Sequence, residues 1–237
     1  MFNHAMRIPP YFLRSSCVSK VSIVLLVVAS CCGATAVCSE PIPFQMPAKG
    51  VCGHRGASDT HPENTLAAFR KAILLGAQMI EFDVAITKDG SLVLMHDATV
   101  DRTTNGKGRI SELTFDEIQK LDAGSWKSKN FKDERVPTLR QALDIMPENI
   151  WLNVHLKGDA QLAAKATEEI IAADRVHQCF LACGKEAAIA AKAISNDIKI
   201  CNMERQSNTQ QYVDETIAGK ADFIQLHGGA SVDPALT

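Results

Sequence analysis

The chain has little of what would bind nucleic acid. Its 237 residues include two tryptophans and two tyrosines, so few rings could stack on bases. Its 25 basic residues against 27 acidic ones give a formal charge of −2 and no basic excess. It has no uninterrupted apolar run of the roughly 20 residues a membrane span needs. It has no Cys-x-x-Cys pair, so a zinc knuckle has no support. No internal repeat and no low-complexity tract stands out. What is there is an ordinary globular balance, 46% hydrophobic and 22% charged. That balance excludes a disordered chain, a collagen-like repeat or a multi-span membrane protein, and the length supports a substantial core.

The first 36 residues read as an export signal rather than as fold. Arg7, Arg14 and Lys20 precede an apolar run from Val21 to Ala29, no acidic residue interrupts them, and small residues follow. Ala34-Thr35-Ala36 fits an A-x-A cleavage site, whereas Val28-Ala29-Ser30-Cys31 resembles a lipobox that would make Cys31 a lipid-bearing terminus. Plain secretion is the favoured expectation, with no stable membrane span unless Cys31 is lipidated. Losing three cations leaves a mature charge of −5, so a site for an anion must be built locally. Residues 37–49, with three prolines, read as a lead-in, and 50–237 as one domain with a small insertion at 98–137.

Five of the eight cysteines lie beyond the signal: Cys38, Cys52, Cys179, Cys183 and Cys201. Cys179 and Cys183 share one predicted strand, where four residues span ~13 Å, too far for the ~7 Å between bridged Cα atoms. Either could reach Cys201 on the next strand, but buried, unpaired thiols are the expected state.

Hydrophobic periodicity places strands at Val51–Gly56, Met79–Thr87, Leu92–His96, Ile150–Lys157, Val176–Cys183, Ile198–Met203 and Ala221–His227. Helices are expected over Thr65–Leu75, after the capping boxes Thr114-x-x-Glu117 and Thr138-x-x-Gln141, over Ala160–Ala173 and Glu186–Ile194, and after Ser207. Asp122 to Arg135 reads as surface loop. Strand–helix alternation argues an α/β fold with a parallel sheet covered by helices, and a doubly wound sheet and a (β/α)₈ barrel both fit.

Polar residues gather at strand ends. The first strand ends in His54-Arg55-Gly56, and the third in His96-Asp97. The second carries Glu81 and Asp83 alternating with Phe82 and Val84. The fourth carries Asn153, His155 and Lys157 alternating with apolar residues. Period-two alternation puts each polar set on one face, where unpaired charges would be costly unless they bind something. Glu81 and Asp83 are hard oxygen ligands for Mg²⁺ or Ca²⁺. Arg55 and Lys157 suit an anion, and His54 and His96 can act as base and acid near neutral pH. Together these groups suit phosphoryl transfer assisted by a divalent cation.

These residues come in an ordered series. His54-Arg55-Gly56, Pro62-Glu63-Asn64-Thr65, Glu81-x-Asp83-Val84, Thr87-x-Asp89-Gly90, His96-Asp97 and Asp101-Arg102-Thr103-Thr104-x-Gly106-x-Gly108 closely resemble the glycerophosphodiester phosphodiesterase family. Leu121-Asp122-x-Gly124 and Pro137-Thr138-Leu139 extend the likeness, which covers about 51–157. The resemblance implies a (β/α)₈ TIM-type barrel that hydrolyses a small-molecule glycerophosphodiester to an alcohol and glycerol 3-phosphate with a divalent cation. It implies His54 and His96 as the acid–base pair, Arg55 as a phosphate ligand, and Glu81 and Asp83 as metal ligands, with Lys157 expected beside Arg55 on the phosphate.

Two departures accompany the likeness. Where the family's fourth strand carries Glu-x-Lys, this chain has His155-Leu156-Lys157. His155 as the third metal ligand would favour Zn²⁺ or Mn²⁺ over Ca²⁺. The family's closing strands are not matched either, and seven strand candidates stand against the eight of a full barrel, so a barrel lacking its last strand or strands is expected. The rival readings are a catalytically impaired binder of phosphodiesters on the same fold, and a phospholipase D-like lipase, since such lipases share the barrel and a similar histidine pair.

Overall fold

In the computed structural model, which describes residues 49–204 and 209–225, strand β2 (Met79–Ile86) is the spine of a seven-stranded sheet. It pairs in parallel with β1 (Cys52–His54) on one edge and with β4 (Trp151–Leu156) on the other. Parallel pairing continues through β5 (Cys179–Cys183), β6 (Lys199–Asn202) and β7 (Phe223–Ile224). Strand β3 (Leu92–Leu94) is the exception, running antiparallel to the upper half of β2 on the same edge as β1. The seven strand candidates therefore supply six parallel staves. The reason is local. Thr87 to Gly90 closes a tight turn, with the Gly90 amide donating to the Thr87 carbonyl at 3.0 Å. So short a link joins antiparallel strands only, since a parallel crossover needs about a dozen residues.

The helices form where their caps stand. Thr65 caps α1 (Leu66–Leu74), and reciprocal capping boxes open α2 (Phe115–Ile118) at Thr114 and α3 (Leu139–Ile145) at Thr138. Asp159 caps α4 (Ala160–Ala172), and α5 (Lys185–Ile194) and α6 (Thr209–Ala218) complete the helical layer. The main core lies between sheet and helices, where Ile80, Phe82 and Val84 of β2 and Leu152, Val154 and Leu156 of β4 meet Phe69, Leu143 and Leu162. The alternate residues face the concave side. At its base Trp151, Phe180 and Phe223 pack as an aromatic floor, with ring centroids 4.9–6.2 Å apart. The insertion has its own small core, in which Val100, Ile110, Ile118, Ala123 and Val136 pack on Ala85, Val93 and Met95.

Two local sequence expectations change. Val176–Gln178 is a 3₁₀ turn, and the strand starts at Cys179, because the Gln178 side-chain Nε2 is drawn aside to donate to the Pro147 and Ile150 carbonyls. Lys129–Phe131 is likewise a 3₁₀ turn within the expected loop. As expected, Cys52, Cys179, Cys183 and Cys201 form no disulfide, and burial pushes Cys179 and Cys183 up to about 12. Residues 1–48, with the expected signal, Cys31 and Cys38, lie outside the described residues, as do Ser207 and His227.

Two glycines in the left-handed region separate strain from crowding. Gly56 (φ +79°) follows β1, and a Cβ there would sit 2.8 Å from the Ala68 backbone, whereas Gly76 (φ +78°) has open space around it. Gly76→Ala is expected to cost about 1 kcal/mol and Gly56→Ala about 3 kcal/mol in urea unfolding. Equal costs would show that the α1 backbone does not press on Gly56.

Candidate active site

Strand β2 turns Glu81 and Asp83 away from the helices and into the concave face, as the alternation requires. Asp83 has no solvent exposure and Glu81 is 7% exposed. Beside them β4 presents Asn153, opposite Glu81 in register, and His155, opposite Asp83. The Nδ1 atom of His155 lies 3.3 Å from Asp83 Oδ1 and 3.6 Å from Glu81 Oε1, and Lys157 Nζ lies 3.1 Å from Asp83 Oδ1. Burial alone would push the Asp83 carboxyl up. The close polar contacts of His155 and Asn64 and the charge of Lys157 outweigh it and hold Asp83 well below the usual carboxylate range. Burial would likewise lower His155, but the two carboxylates facing it raise it above the usual histidine value.

The loop after β1 ties this cluster down. Arg55 takes a left-handed conformation (φ 56°), which aims its amide at Glu81 Oε2, 2.9 Å away. Asn64 (φ 56°) is buried and clasps Asp83 twice. Its Nδ2 donates to Oδ2 at 2.9 Å, and its Oδ1 accepts from the Asp83 amide at 3.1 Å. Asp83 Oδ1 is left buried, near two nitrogens but hydrogen-bonded to neither. The Arg55 guanidinium lies over the cluster, with Nε 3.4 Å from Asp83 Oδ2, and donates from Nη1 to Glu63 at 2.9 Å.

A divalent cation fits these residues. Glu81, Asp83 and His155 each offer a ligand atom, all within 4.8 Å of one another, and the buried Asp83 Oδ1, ion-paired with Lys157 but without a hydrogen bond, keeps a lone pair for a cation. The buried Oδ1 of Asn153, also without a hydrogen bond, adds a neutral oxygen on the same face.

The histidines reach the cleft from two directions. His54 ends β1, with its side chain 67% exposed and Nε2 3.9 Å from Glu81 Oε2. His96 follows β3, which runs back along β2 so that the Met95 amide donates to the Asp83 carbonyl at 3.0 Å. An antiparallel strand thus returns the chain to the level where the parallel β1 stops. The Nδ1 of His96 is 2.7 Å from Asp97 Oδ1. Asp97 can only accept, so Nδ1 carries the proton and Nε2 is free. The hydrogen bond from Arg102, with a smaller contribution from His96, pushes the Asp97 carboxyl down to about 2.

All seven expected site residues, His54, Arg55, Glu81, Asp83, His96, His155 and Lys157, line one cleft of about 320 Å³. Asn153, Ala182, Met203 and Gln225 complete its wall, so strands from β1 to β7 curl around a common opening as in a barrel. Among the described residues β1 and β7 do not pair with each other, so this arc is open. His61 stays in its loop, 4.8 Å from the Phe131 ring, as a loop residue should. Glu63, Asn64 and Arg102 were not among the expected site residues. Their placement within the recognised motifs was the one signal that they serve the site.

Comparison with known proteins agrees with this geometry. The pattern of the Glycerophosphoryl diester phosphodiesterase family matches residues 54–225. A glycerophosphodiester phosphodiesterase of Caldanaerobacter subterraneus subsp. tengcongensis is 47% identical over 124 residues, covering 52% of this chain and 51% of that protein. Glycerophosphodiester phosphodiesterase 1 of Rattus norvegicus is 48% identical over 120 residues, covering 49% and 36%. The chain thus spans about half, or less, of the length of these curated relatives. Among solved structures, an Oleispira antarctica phosphodiesterase in complex with the product sn-glycerol-3-phosphate superposes with a TM-score of 0.67 at 28% identity, covering 74% of each chain. A glycerophosphodiester phosphodiesterase of Agrobacterium tumefaciens str. C58 is 34% identical with a TM-score of 0.58, covering 63% of this chain and 64% of that one. The chain, an α/β protein with the strand arc of a TIM-type barrel, belongs to the glycerophosphoryl diester phosphodiesterase family.

Proposed function

We propose that this protein hydrolyses glycerophosphodiesters to an alcohol and glycerol 3-phosphate with a divalent cation held by Glu81, Asp83 and His155. One observation carries the reading. Two carboxylates, an imidazole, two cations and two further histidines share a single cleft, and a buried carboxylate oxygen there has no hydrogen bond. The bound cation supplies charge neutralisation at a phosphoryl oxygen. Arg55 and Lys157 hold the remaining phosphate charge. His96, with Nδ1 committed to Asp97, accepts or gives a proton at Nε2, and the exposed His54 serves the other side of phosphorus. As a P–O bond forms to the attacking oxygen, one ring takes its proton. As the P–O bond to the alcohol breaks, the other ring protonates the leaving oxygen, so charge and protons balance. Export through residues 1–36, with lipidation at Cys31 as the variant form, is proposed with it and is tested by N-terminal sequencing of the mature protein.

His54→Ala and His96→Ala are each expected to lower turnover of glycerophosphocholine by ~10²–10⁴-fold while calorimetric binding of sn-glycerol 3-phosphate is largely kept. Binding without turnover by the unmodified chain, across Mg²⁺, Ca²⁺, Mn²⁺ and Zn²⁺, would instead identify a non-hydrolysing binder. Preferential cleavage of lysophospholipid over the deacylated diester would favour the lipase.

A metal on His155 must displace the proton that Glu81 and Asp83 favour there. Because that raised pKa keeps the ring protonated to higher pH, Mn²⁺ affinity is expected to fall from about pH 7.5 to about pH 5.5. In His155→Glu the fall should be smaller, since a carboxyl's ordinary value lies well below a histidine's. The same variant should move metal preference toward Ca²⁺ or Mg²⁺. An unchanged metal profile would remove His155 from the ligand set.

A further inference from the structure

A chain of ion pairs leads away from the cleft, and its centre is a residue that is not among those lining it. The Arg102 guanidinium grips two carboxylates at once. Toward Asp97, Nε donates to Oδ2 at 2.7 Å and Nη2 to Oδ1 at 3.0 Å. Toward Glu63, Nη1 donates to Oε2 at 2.8 Å and Nη2 to Oε1 at 2.8 Å. Each carboxylate then continues to a cleft residue, Asp97 to His96 at 2.7 Å and Glu63 to Arg55 at 2.9 Å. Charges alternate in sign along Asp97, Arg102, Glu63, Arg55 and Asp83.

We propose that Arg102 is a positioning residue for the reaction. Through Asp97 it fixes the orientation and tautomer of His96, and through Glu63 it fixes the Arg55 guanidinium, so that the proton-transferring ring and the phosphate-binding fork are held as one unit. The inference rests on the proposed phosphodiesterase reading for its kinetic consequence, but its structural content stands separately. The geometry needs a planar fork. A guanidinium offers five N–H donors and makes two parallel bonds to each of two carboxylates, whereas an ammonium is a point charge that cannot fix two planes. The Asp97 carboxylate is 30% exposed, and without the fork it can rotate in water and present Oδ1 to His96 only part of the time. The imidazole then reverts to the mixture of free histidine, in which the Nε2–H form dominates, and the free lone pair leaves the cleft.

The test uses the full chain with ¹⁵N-labelled histidine and long-range imidazole spectra of the unmodified protein, Arg102→Ala and Arg102→Lys, beside glycerophosphocholine kinetics. The unmodified protein should show His96 as the Nδ1–H tautomer. Both variants should shift it toward Nε2–H and lower kcat by about 10–100-fold with KM changed less than about 3-fold, and guanidinium ion should restore part of the kcat of Arg102→Ala. The Arg102 side chain is 44% exposed, so both variants should keep near-wild-type melting, and Arg102→Lys retains the charge as a folded comparison. An unchanged His96 spectrum in the two variants overturns the proposal, whatever the activity. A protein without phosphodiesterase turnover whose His96 spectrum still shifts upholds the positioning role and refutes only the reading on which its kinetic consequence rests.

Discussion

A carboxylate shut away from water governs this site. Placing a charge at zero exposure costs several kcal/mol unless partners surround it, and removing one partner leaves the cost behind. Asp83 meets that condition on both oxygens, but only Oδ2 is hydrogen-bonded. Oδ2 accepts from the Asn64 amide and faces Arg55, while Oδ1 lies near Lys157 and His155 without a hydrogen bond to either. The groups around Asp83 keep it ionised, and a cation among Glu81, Asp83 and His155 would take the lone pair that Oδ1 leaves without a hydrogen bond. The left-handed turns at Arg55 and Asn64 follow from the same demand, since they aim an amide at Glu81 and a side chain at Asp83.

Around that charge the sheet is arranged unequally. Most strands approach in parallel and deliver polar residues at their carboxyl ends, the usual place for a barrel site. The β2–β3 hairpin reverses direction and brings His96 back to the cleft from above, where a parallel strand could not. Its Asp97 partner and the Arg102 fork then stiffen a ring that would otherwise hang from a chain leaving the sheet. The aromatic floor of Trp151, Phe180 and Phe223 closes the base of the concave face with apolar rings. It leaves the charged groups at one end.

Much of this was legible in the sequence because it is local. Period-two alternation in β2 and β4 separated Phe82 and Val154, which face the helices, from Asp83 and His155, which face the cleft. The Thr114 and Thr138 capping boxes marked helix starts that the structure reproduces. The rest depended on contacts between distant residues. Arg102 and Glu63 are 39 positions apart and Asn64 and Asp83 are 19 apart, so neither pairing has a spacing that identifies it. The direction of β3 was encoded in the tight turn at Thr87–Gly90, but strand–helix alternation elsewhere outweighed it. Gln178 left its expected strand because two carbonyls from another segment compete for its side chain.

The most direct test is a crystal structure of the full chain with Mn²⁺ and sn-glycerol 3-phosphate, with anomalous scattering locating the metal. A single Mn²⁺ ligated by Glu81, Asp83 and His155 is expected, with the phosphate against it and the His54 and His96 rings on opposite sides of phosphorus within hydrogen-bonding reach. Manganese bound away from those three residues, or both rings on one side of the phosphate, would contradict it.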